Sequence, residues 1–129
     1  MDRETIKSIV LNYLDLFNKS DFESMTEILD PDISFENLTE KNSIVKTKGI
    51  KEFLEICRSS AQIFESKQKT MITIAVENNT ATAEIFFDGI LAQDISKDIL
   101  KGDKIRIEGY TEFEISENGL ISSIKDFSR

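Results

Sequence analysis

A single carboxylate near the C-terminus lies in a pattern that could support proton transfer. Asp126 follows Ile124 by two residues, and side chains two apart share one side of a β-strand. Since Ile124 is expected to face the core, the alternation predicts that Asp126 points inward too. Desolvation favours the neutral form of a carboxyl group among apolar side chains, which suits general acid or base catalysis. One alternative is a register with Ile121 and Phe127 inward and the carboxylate in solvent. The other is that Asp126 lies near the mouth of the pocket or pairs with a lysine.

Further polar side chains are predicted on the same inward faces. Tyr13 lies in the apolar stripe of a helix, and Asn37 shares one side of a short strand with Phe35. Thr111 lies on the apolar face of a later strand. Tyr13 and Asn37 would orient a substrate near Asp126, although Tyr13 could equally be a structural residue. The predicted lining of this mainly apolar cavity is Tyr13, Phe35, Asn37, Phe53, Cys57, Thr111, Phe113 and Ile124.

The single cysteine, Cys57, is predicted to be a core thiol rather than a nucleophile. It lies on the apolar stripe of a helix, and the chain has no histidine to activate it. One cysteine also excludes an internal disulfide and a cysteine-based zinc site. The acids Asp94, Asp98 and Asp103 lack the spacing of a calcium loop. No metal and no cofactor are therefore predicted.

Length and composition exclude several classes of protein. The 129 residues suffice for one domain, residues 1–129. A net charge of −8 argues against nucleic acid as a partner, because such binding rests on Lys and Arg neutralising phosphates. No apolar run approaches the ~20 residues of a membrane-spanning helix, and the N-terminus does not have the pattern of a signal peptide. A cytoplasmic protein without a membrane partner is predicted.

The first half of the chain is predicted to be mostly helical. An apolar stripe from Ile6 to Phe17 recurs at helical spacing. A second, short helix is predicted over roughly 21–29, where Asp30-Pro31-Asp32 would end it because proline disfavours helix in the residue before it. A third helix begins at Gly49 and ends near Phe64, with its apolar positions on one face.

After the third helix, the spacing of the apolar residues changes from 3.6 to 2 residues, which is typical of strands. Before the third helix, a short strand is predicted at 33–37 and a loop at 38–48. Asp88-Gly89 could be a hairpin turn or a bulge within a longer strand, and the bulge is favoured because the apolar pattern resumes at once. The longer strands are predicted at roughly 68–77, 80–91, 103–116 and 120–127. Three helices followed by an antiparallel meander make an α+β fold, with helices on one sheet face.

Two stretches of the sequence resemble nuclear-transport-factor-2-like proteins, most closely the SnoaL-like and ketosteroid-isomerase-like branch. The first runs from Tyr13 to Asn37, and the second from Phe113 through Gly119 to Phe127. The resemblance covers nearly the whole chain. It implies three N-terminal helices packed on a strongly curved antiparallel sheet, forming a cone with an internal pocket. It also implies a homodimer through the outer sheet face, where the pattern places Phe86 and Tyr110.

The resemblance carries over only part of a known active site. Ketosteroid isomerases have their catalytic aspartate where this chain has Asn37, and the bacterial enzymes have an oxyanion-hole acid where it has Thr111, so steroid isomerisation is not expected. Tyr13 matches the family's pocket tyrosine. Asp126 resembles the acid near the end of the last strand in SnoaL-like cyclases and in limonene-epoxide-hydrolase-like proteins. The latter also use an asparagine like Asn37, but they need an Arg-x-Asp unit, and residues 81–87 contain no arginine.

Three hypotheses on function follow. The first is cofactor-independent acid–base chemistry, of the isomerase, cyclase or epoxide-hydrolase type, on a small apolar molecule that carries an oxygen. Asp126 and Tyr13 are then the catalytic candidates. The second is a ligand-binding module without turnover, and the third is a dimeric interaction domain. Several polar groups that converge in the cavity would favour the first hypothesis. A carboxylate with nothing hydrogen-bonded beside it would favour the second. A closed, well-filled cavity would favour the third.

Overall fold

Three helices pack against one face of a six-stranded sheet in the described part of the chain. The structure, a computed structural model, describes residues 1–39 and 43–128. Its elements run in the order α1 (Arg3–Lys19), α2 (Phe22–Met25), β1 (Leu29–Leu38), β2 (Ser43–Lys48), α3 (Ile50–Ile63), β3 (Phe64–Glu77), β4 (Thr80–Leu91), β5 (Lys104–Ile115) and β6 (Ile121–Ser128). The predicted α+β class is confirmed.

Helix α1 has clear sequence signals at both ends. Asp2 caps its start, because its carboxylate accepts the backbone N–H of Thr5 at 2.8 Å. Ser20 ends it in the left-handed conformation, with φ 55°. Between these ends, one stripe is buried against the sheet, namely Ile6, Val10, Tyr13, Leu14 and Phe17. Within residues 1–39 and 43–128, no helix combines the length and the apolar character needed to cross a membrane.

The sheet is open, with strand order β2-β1-β6-β5-β4-β3. Strands β3 to β6 pair antiparallel with their neighbours in sequence, as the meander predicts. The prediction of a wholly antiparallel sheet is wrong, because β1 runs parallel to β6. The two strands lie far apart in the sequence, so no turn signal between them reveals their relative direction.

Two predictions for residues 21–48 need correction. The second helix is shorter than predicted, because Leu29 already belongs to β1. Pro31 lies within that strand, beside a break in its pairing with β6, where a missing N–H does no harm. The predicted loop over 38–48 contains β2, in which Thr47 faces the core while Lys46 and Lys48 are exposed. Residues 40–42 of that loop lie outside the described residues.

The predicted bulge at Asp88-Gly89 is also wrong. The pairing of β4 with β5 runs through both residues without a shift. Gly89 is needed there for a different reason: a Cβ on it would lie 2.6 Å from the Phe64 ring. The bulges lie on the neighbouring strand β3 instead, and one of them falls between Met71 and Thr73.

Two neighbouring rows of side chains cross the inner face of the sheet, which faces the helices. The register pairs Ile124 with Phe113 and Phe113 with Ala81, and we call these three residues the packed row. Phe35 on β1 pairs with Ile124 at the end of this row. Two residues further along the same strands, the register aligns a second row, the polar row, which consists of Asn37, Asp126 and Thr111.

Candidate functional site

The polar row brings one carboxylate, one amide and one hydroxyl together on three adjacent strands. The Thr111 hydroxyl donates a hydrogen bond to Oδ1 of Asp126 at 2.7 Å. The structure thus places Asp126 on the inner face, two residues from buried Ile124. Phe127 lies on the opposite face, where it stacks on Tyr110 with ring centroids 4.5 Å apart. The register with Phe127 inward is therefore not found.

Lys69 on edge strand β3 completes the polar contacts of Asp126. Its ammonium nitrogen lies 3.6 Å from Oδ2 of Asp126, and the two side chains are only 15% and 20% exposed. Three strand spacings of ~4.8 Å would separate β3 from β6 by about 14 Å in a flat sheet. The contact therefore spans the two intervening strands β4 and β5 on the inner face. Asp126 thus faces inward, as the alternation predicts, and it also pairs with a lysine, as the alternative predicts.

Sequence reasoning missed Lys69 because of the bulge in β3. Val76 and Ile74 face inward, so an unbroken alternation along β3 would place Lys69, whose number has the opposite parity, on the outer side. The extra residue at Ile72 resets that parity, so that Met71 and Lys69 turn inward while Ile72 is left 47% exposed. A bulge of this kind leaves no local sequence signal, and only the pairing with β4 reveals it.

Tyr13 extends from α1 towards the polar row. Its ring is 3% exposed and meets Phe113 edge-to-face, with centroids 5.5 Å apart. Burial raises the pKa of the Tyr13 phenol well above 10, and the nearby Cys57 and Asp126 raise it further. Tyr13 is therefore a neutral phenol at physiological pH, and a hydrogen-bond donor.

Cys57 on α3 faces the same space as a protonated thiol. Burial raises its pKa from the ordinary 9.0 to about 11, while Lys69 opposes this shift and Asp126 adds to it. A thiol in that state is a poor nucleophile. Its neighbours make Cys57 part of the apolar wall.

Asn37 holds a hydrogen-bond acceptor that is not used within the protein. Its Oδ1 is buried, and no donor among residues 1–39 and 43–128 reaches it. A buried acceptor without a partner costs about 1–3 kcal/mol. A ligand or a water molecule that donates to this oxygen would remove the cost.

These side chains surround a recess of about 270 Å³ between α1, α3 and the inner face of the sheet. This volume lies just below the range of about 300–1,000 Å³ that is typical of ligand sites. The predicted site residues that line it are Tyr13, Phe35, Asn37, Phe53, Cys57, Thr111 and Asp126. Lining residues that the sequence prediction omitted include Phe17, Ile56, Lys69, Ile85, Phe87 and Ile107.

Two predicted lining residues do not line the recess. Phe113 and Ile124 belong to the packed row and are both 0% exposed. They lie one row deeper than the recess, because α1 and the neighbouring strands close over them. Tyr13 covers Phe113 directly. Both residues therefore support the floor of the site without facing a ligand.

The acids in the segment between β4 and β5 serve to shape a turn. The Asp94 carboxylate accepts the backbone N–H of Lys101 at 2.8 Å, and the Asp103 carboxylate accepts that of Leu100 at 2.9 Å. Such contacts are ordinary turn chemistry. No group of three potential metal ligands is found among the described residues.

Comparisons with known proteins identify a family and a fold. Residues 10–124 match the model of the SnoaL-like domain family. The curated proteins include no match. A candidate polyketide cyclase from Xanthomonas campestris pv. campestris is similar in structure, with a TM-score of 0.79 and 17% identity over 98% of this chain and 92% of that one.

Two further solved structures share the fold. TsrD from Streptomyces laurentii has a TM-score of 0.80 and 22% identity, over 99% of this chain and 90% of that one. An LEH-like epoxide hydrolase from M. tuberculosis has a TM-score of 0.77 and 14% identity, over 98% and 84% of the two chains. At such identities the likeness shows the fold alone, so the chemistry must be argued from the side chains.

Proposed function

The chain belongs to the SnoaL-like domain family, and on that basis we propose that its recess is a cone-shaped binding pocket in which Asp126 transfers a proton. The ligand is a small, mainly apolar molecule that carries an oxygen. One observation supports this most: the Asp126 carboxylate faces an apolar recess with a hydroxyl bonded to it and an ammonium beside it. Five polar groups converge there, namely those of Tyr13, Asn37, Lys69, Thr111 and Asp126, which favours the enzyme hypothesis over simple binding.

The polar groups divide into proton acceptors and donors. Asp126 acts as the base and takes a proton from a carbon, a hydroxyl or a water molecule. The electron pair released moves towards the substrate oxygen, where the neutral Tyr13 phenol donates a hydrogen bond. The unpaired oxygen of Asn37 accepts a hydrogen bond from the substrate or from the attacking water. Thr111 fixes the orientation of the carboxylate.

These roles fit cyclisation or epoxide opening better than steroid isomerisation. The structures of a candidate polyketide cyclase and of an LEH-like epoxide hydrolase share the fold, but this likeness does not identify a substrate for the present chain. An amide at Asn37 cannot take the proton that a carboxylate takes in the ketosteroid isomerases. We propose that Lys69 supplies the cationic side of the site that an arginine supplies in limonene-epoxide-hydrolase-like proteins.

The experiment begins with native mass spectrometry of the purified protein to identify a retained ligand. Molecules related to that ligand, together with small epoxides and β-keto esters, are then assayed as substrates of the wild type and of Asp126→Asn. Turnover is expected in the wild type and should fall at least 100-fold in the variant. Glu112→Gln, which removes a carboxylate from the neighbouring strand on the outer face, is the matched control and should keep full activity.

A non-catalytic carrier is the second candidate. It is favoured by the mainly apolar lining of the recess, which would hold an apolar ligand without any chemistry. In that case the retained ligand would bind wild type and Asp126→Asn alike and would be recovered unchanged from both. Unchanged recovery from the wild type after long incubation would refute the enzymatic proposal.

We also propose a homodimer through the outer sheet face. That face carries the stacked pair Tyr110 and Phe127, and Phe86 lies under the Arg106 guanidinium, 4.4 Å from its ring centroid. Aromatic and arginine side chains together are typical of interfaces. Light scattering at micromolar concentration should give twice the monomer mass. Phe86→Glu should give the monomer, whereas Ile72→Glu, on edge strand β3, should not. A monomeric wild type would rule the interface out.

A further inference from the structure

We propose that Lys69 is an anion-binding residue of the recess, and that the ligand presents to it an anionic oxygen such as that of a carboxylate or an enolate. The inference deepens the proposed function and rests on the recess being a binding site. It narrows the ligand from any oxygen-bearing apolar molecule to one that carries, or develops, negative charge.

The ammonium of Lys69 has donors that the protein does not use. Its nearest acid, Asp126, is 3.6 Å away, beyond hydrogen-bond distance. On its other side, the ammonium lies over the Phe17 ring, 4.3 Å from the centroid. In the described part of the chain no acceptor takes a hydrogen bond from it, although an ammonium has three protons to donate. An oxygen of the ligand would satisfy a group that is only 15% exposed.

The fold holds Lys69 in place from two sides. The bulge at Ile72 turns the side chain inward, at the expense of exposing Ile72. The Asn18 side chain then binds the backbone of Lys69 twice: its Nδ2 donates to the Lys69 carbonyl at 3.0 Å, and its Oδ1 accepts the Lys69 N–H at 2.8 Å. A cation that is positioned in advance loses little freedom when it binds a ligand.

Among the described residues that line the recess, the charged ones are the cation Lys69 and the carboxylates Asp126 and Glu108. A second lysine, Lys67, also lies over the ring of Phe17. Lys67 donates to the Phe17 carbonyl and does not line the recess. Lys69 is therefore the cation that meets the ligand, and the apolar walls weaken the screening of its charge.

The test compares benzoate with benzamide, two flat apolar probes of similar shape that differ in charge. Their affinities are measured by NMR titration of the wild type, Lys69→Met, Lys69→Arg and Lys67→Met. Wild type should bind benzoate about tenfold or more tightly than benzamide. Lys69→Met should lose that preference with benzamide binding unchanged. Lys69→Arg, which keeps the charge, and Lys67→Met, the matched control, should retain it.

Asp126→Asn separates this proposal from the proposed function. Removing the negative charge beside Lys69 should tighten benzoate binding several-fold, whereas turnover should disappear. If turnover survives in Asp126→Asn but the benzoate pattern holds, Asp126 is not the base and Lys69 still binds anions. Equal affinities for the two probes in wild type, a preference that survives in Lys69→Met, or no benzoate binding at ~10 mM would each overturn the role of Lys69.

Discussion

The packed row and the polar row lie side by side on the same inner face, yet they have opposite characters. Ile124, Phe113 and Ala81 are all 0% exposed. Two residues further along β6 and β5, the same register aligns Asp126 and Thr111 at the wall of a recess. A single step of the β-sheet period therefore separates core from site.

The difference teaches how this fold can hold polar groups without losing its core. Each strand of the pair β5 and β6 has one residue in each row, so the apolar residues fix the backbone that carries the polar ones. Phe113 also supports Tyr13 from beneath. Substitutions in the packed row should therefore cost stability, and substitutions in the polar row should mainly change binding and chemistry.

The largest effect is expected in the packed row. Phe113→Ala should lower the free energy of unfolding by about 3–5 kcal/mol, because it removes a fully buried ring and leaves a cavity. Denaturant unfolding measures it. Phe127→Ala, which removes a half-buried phenylalanine from the outer face, is the control and should cost clearly less. Similar losses for the two would show that burial in the packed row contributes no more stability than packing on the outer face.

The second prediction concerns the buried thiol of Cys57, whose pKa makes the free energy of unfolding depend on pH. The thiol pKa is 9.0 when exposed and about 11 in the folded protein. Between these values the unfolded chain loses the proton while the folded chain keeps it, so the free energy of unfolding falls as pH rises. The fall should reach about 2–3 kcal/mol by pH 11.

The control for this pH dependence is Cys57→Ala. The free energies of unfolding of the two proteins, plotted against pH between 8 and 11, should converge as pH rises, because only the wild type loses stability through the buried thiol. Tyr13, whose pKa is raised mainly by burial, contributes to both curves, and Cys57→Ala removes only the smaller part of that shift that Cys57 causes. Parallel curves would mean that water reaches Cys57 freely.

A smaller effect is expected from separating the partly buried ion pair in the polar row. Asp126→Asn should destabilise the protein by about 1–3 kcal/mol, because Lys69 is left without its counter-ion. The double variant Asp126→Asn, Lys69→Met should recover part of that loss, since it leaves no buried charge alone. A double-mutant cycle gives the coupling. Strictly additive losses would show that the contact contributes no stability.

The smallest effect is expected at Thr111. Thr111→Val removes the hydroxyl that donates to Asp126 and nearly conserves the side-chain volume, so it should cost about 1 kcal/mol. Thr111→Ser keeps the donor and should retain both ligand binding and the position of the carboxylate. Binding equal to wild type in Thr111→Val would remove Thr111 from the positioning of Asp126.

Much of the fold was predictable because its signals are local. Strand β4 begins and ends at the predicted residues, and α1 carries its cap and its apolar stripe in consecutive residues. The turn signals placed the meander of β3 to β6. The parallel pairing of β1 with β6 escaped prediction because the two strands lie far apart in the sequence. The short strand β2 escaped it because residues 38–48 are mostly polar.

The sequence by itself determined which residues of each strand share a side, and so it aligned Asp126 with Ile124 and Asn37 with Phe35. Tertiary structure decided the rest. It placed Phe113 and Ile124 one row too deep to meet a ligand, and it brought Lys69 across the sheet to Asp126. The physical reason is that alternation fixes the side of a strand only while the pairing continues unbroken. The bulge at Ile72 reverses that side, and the strand order then sets which side chains from distant parts of the sequence meet.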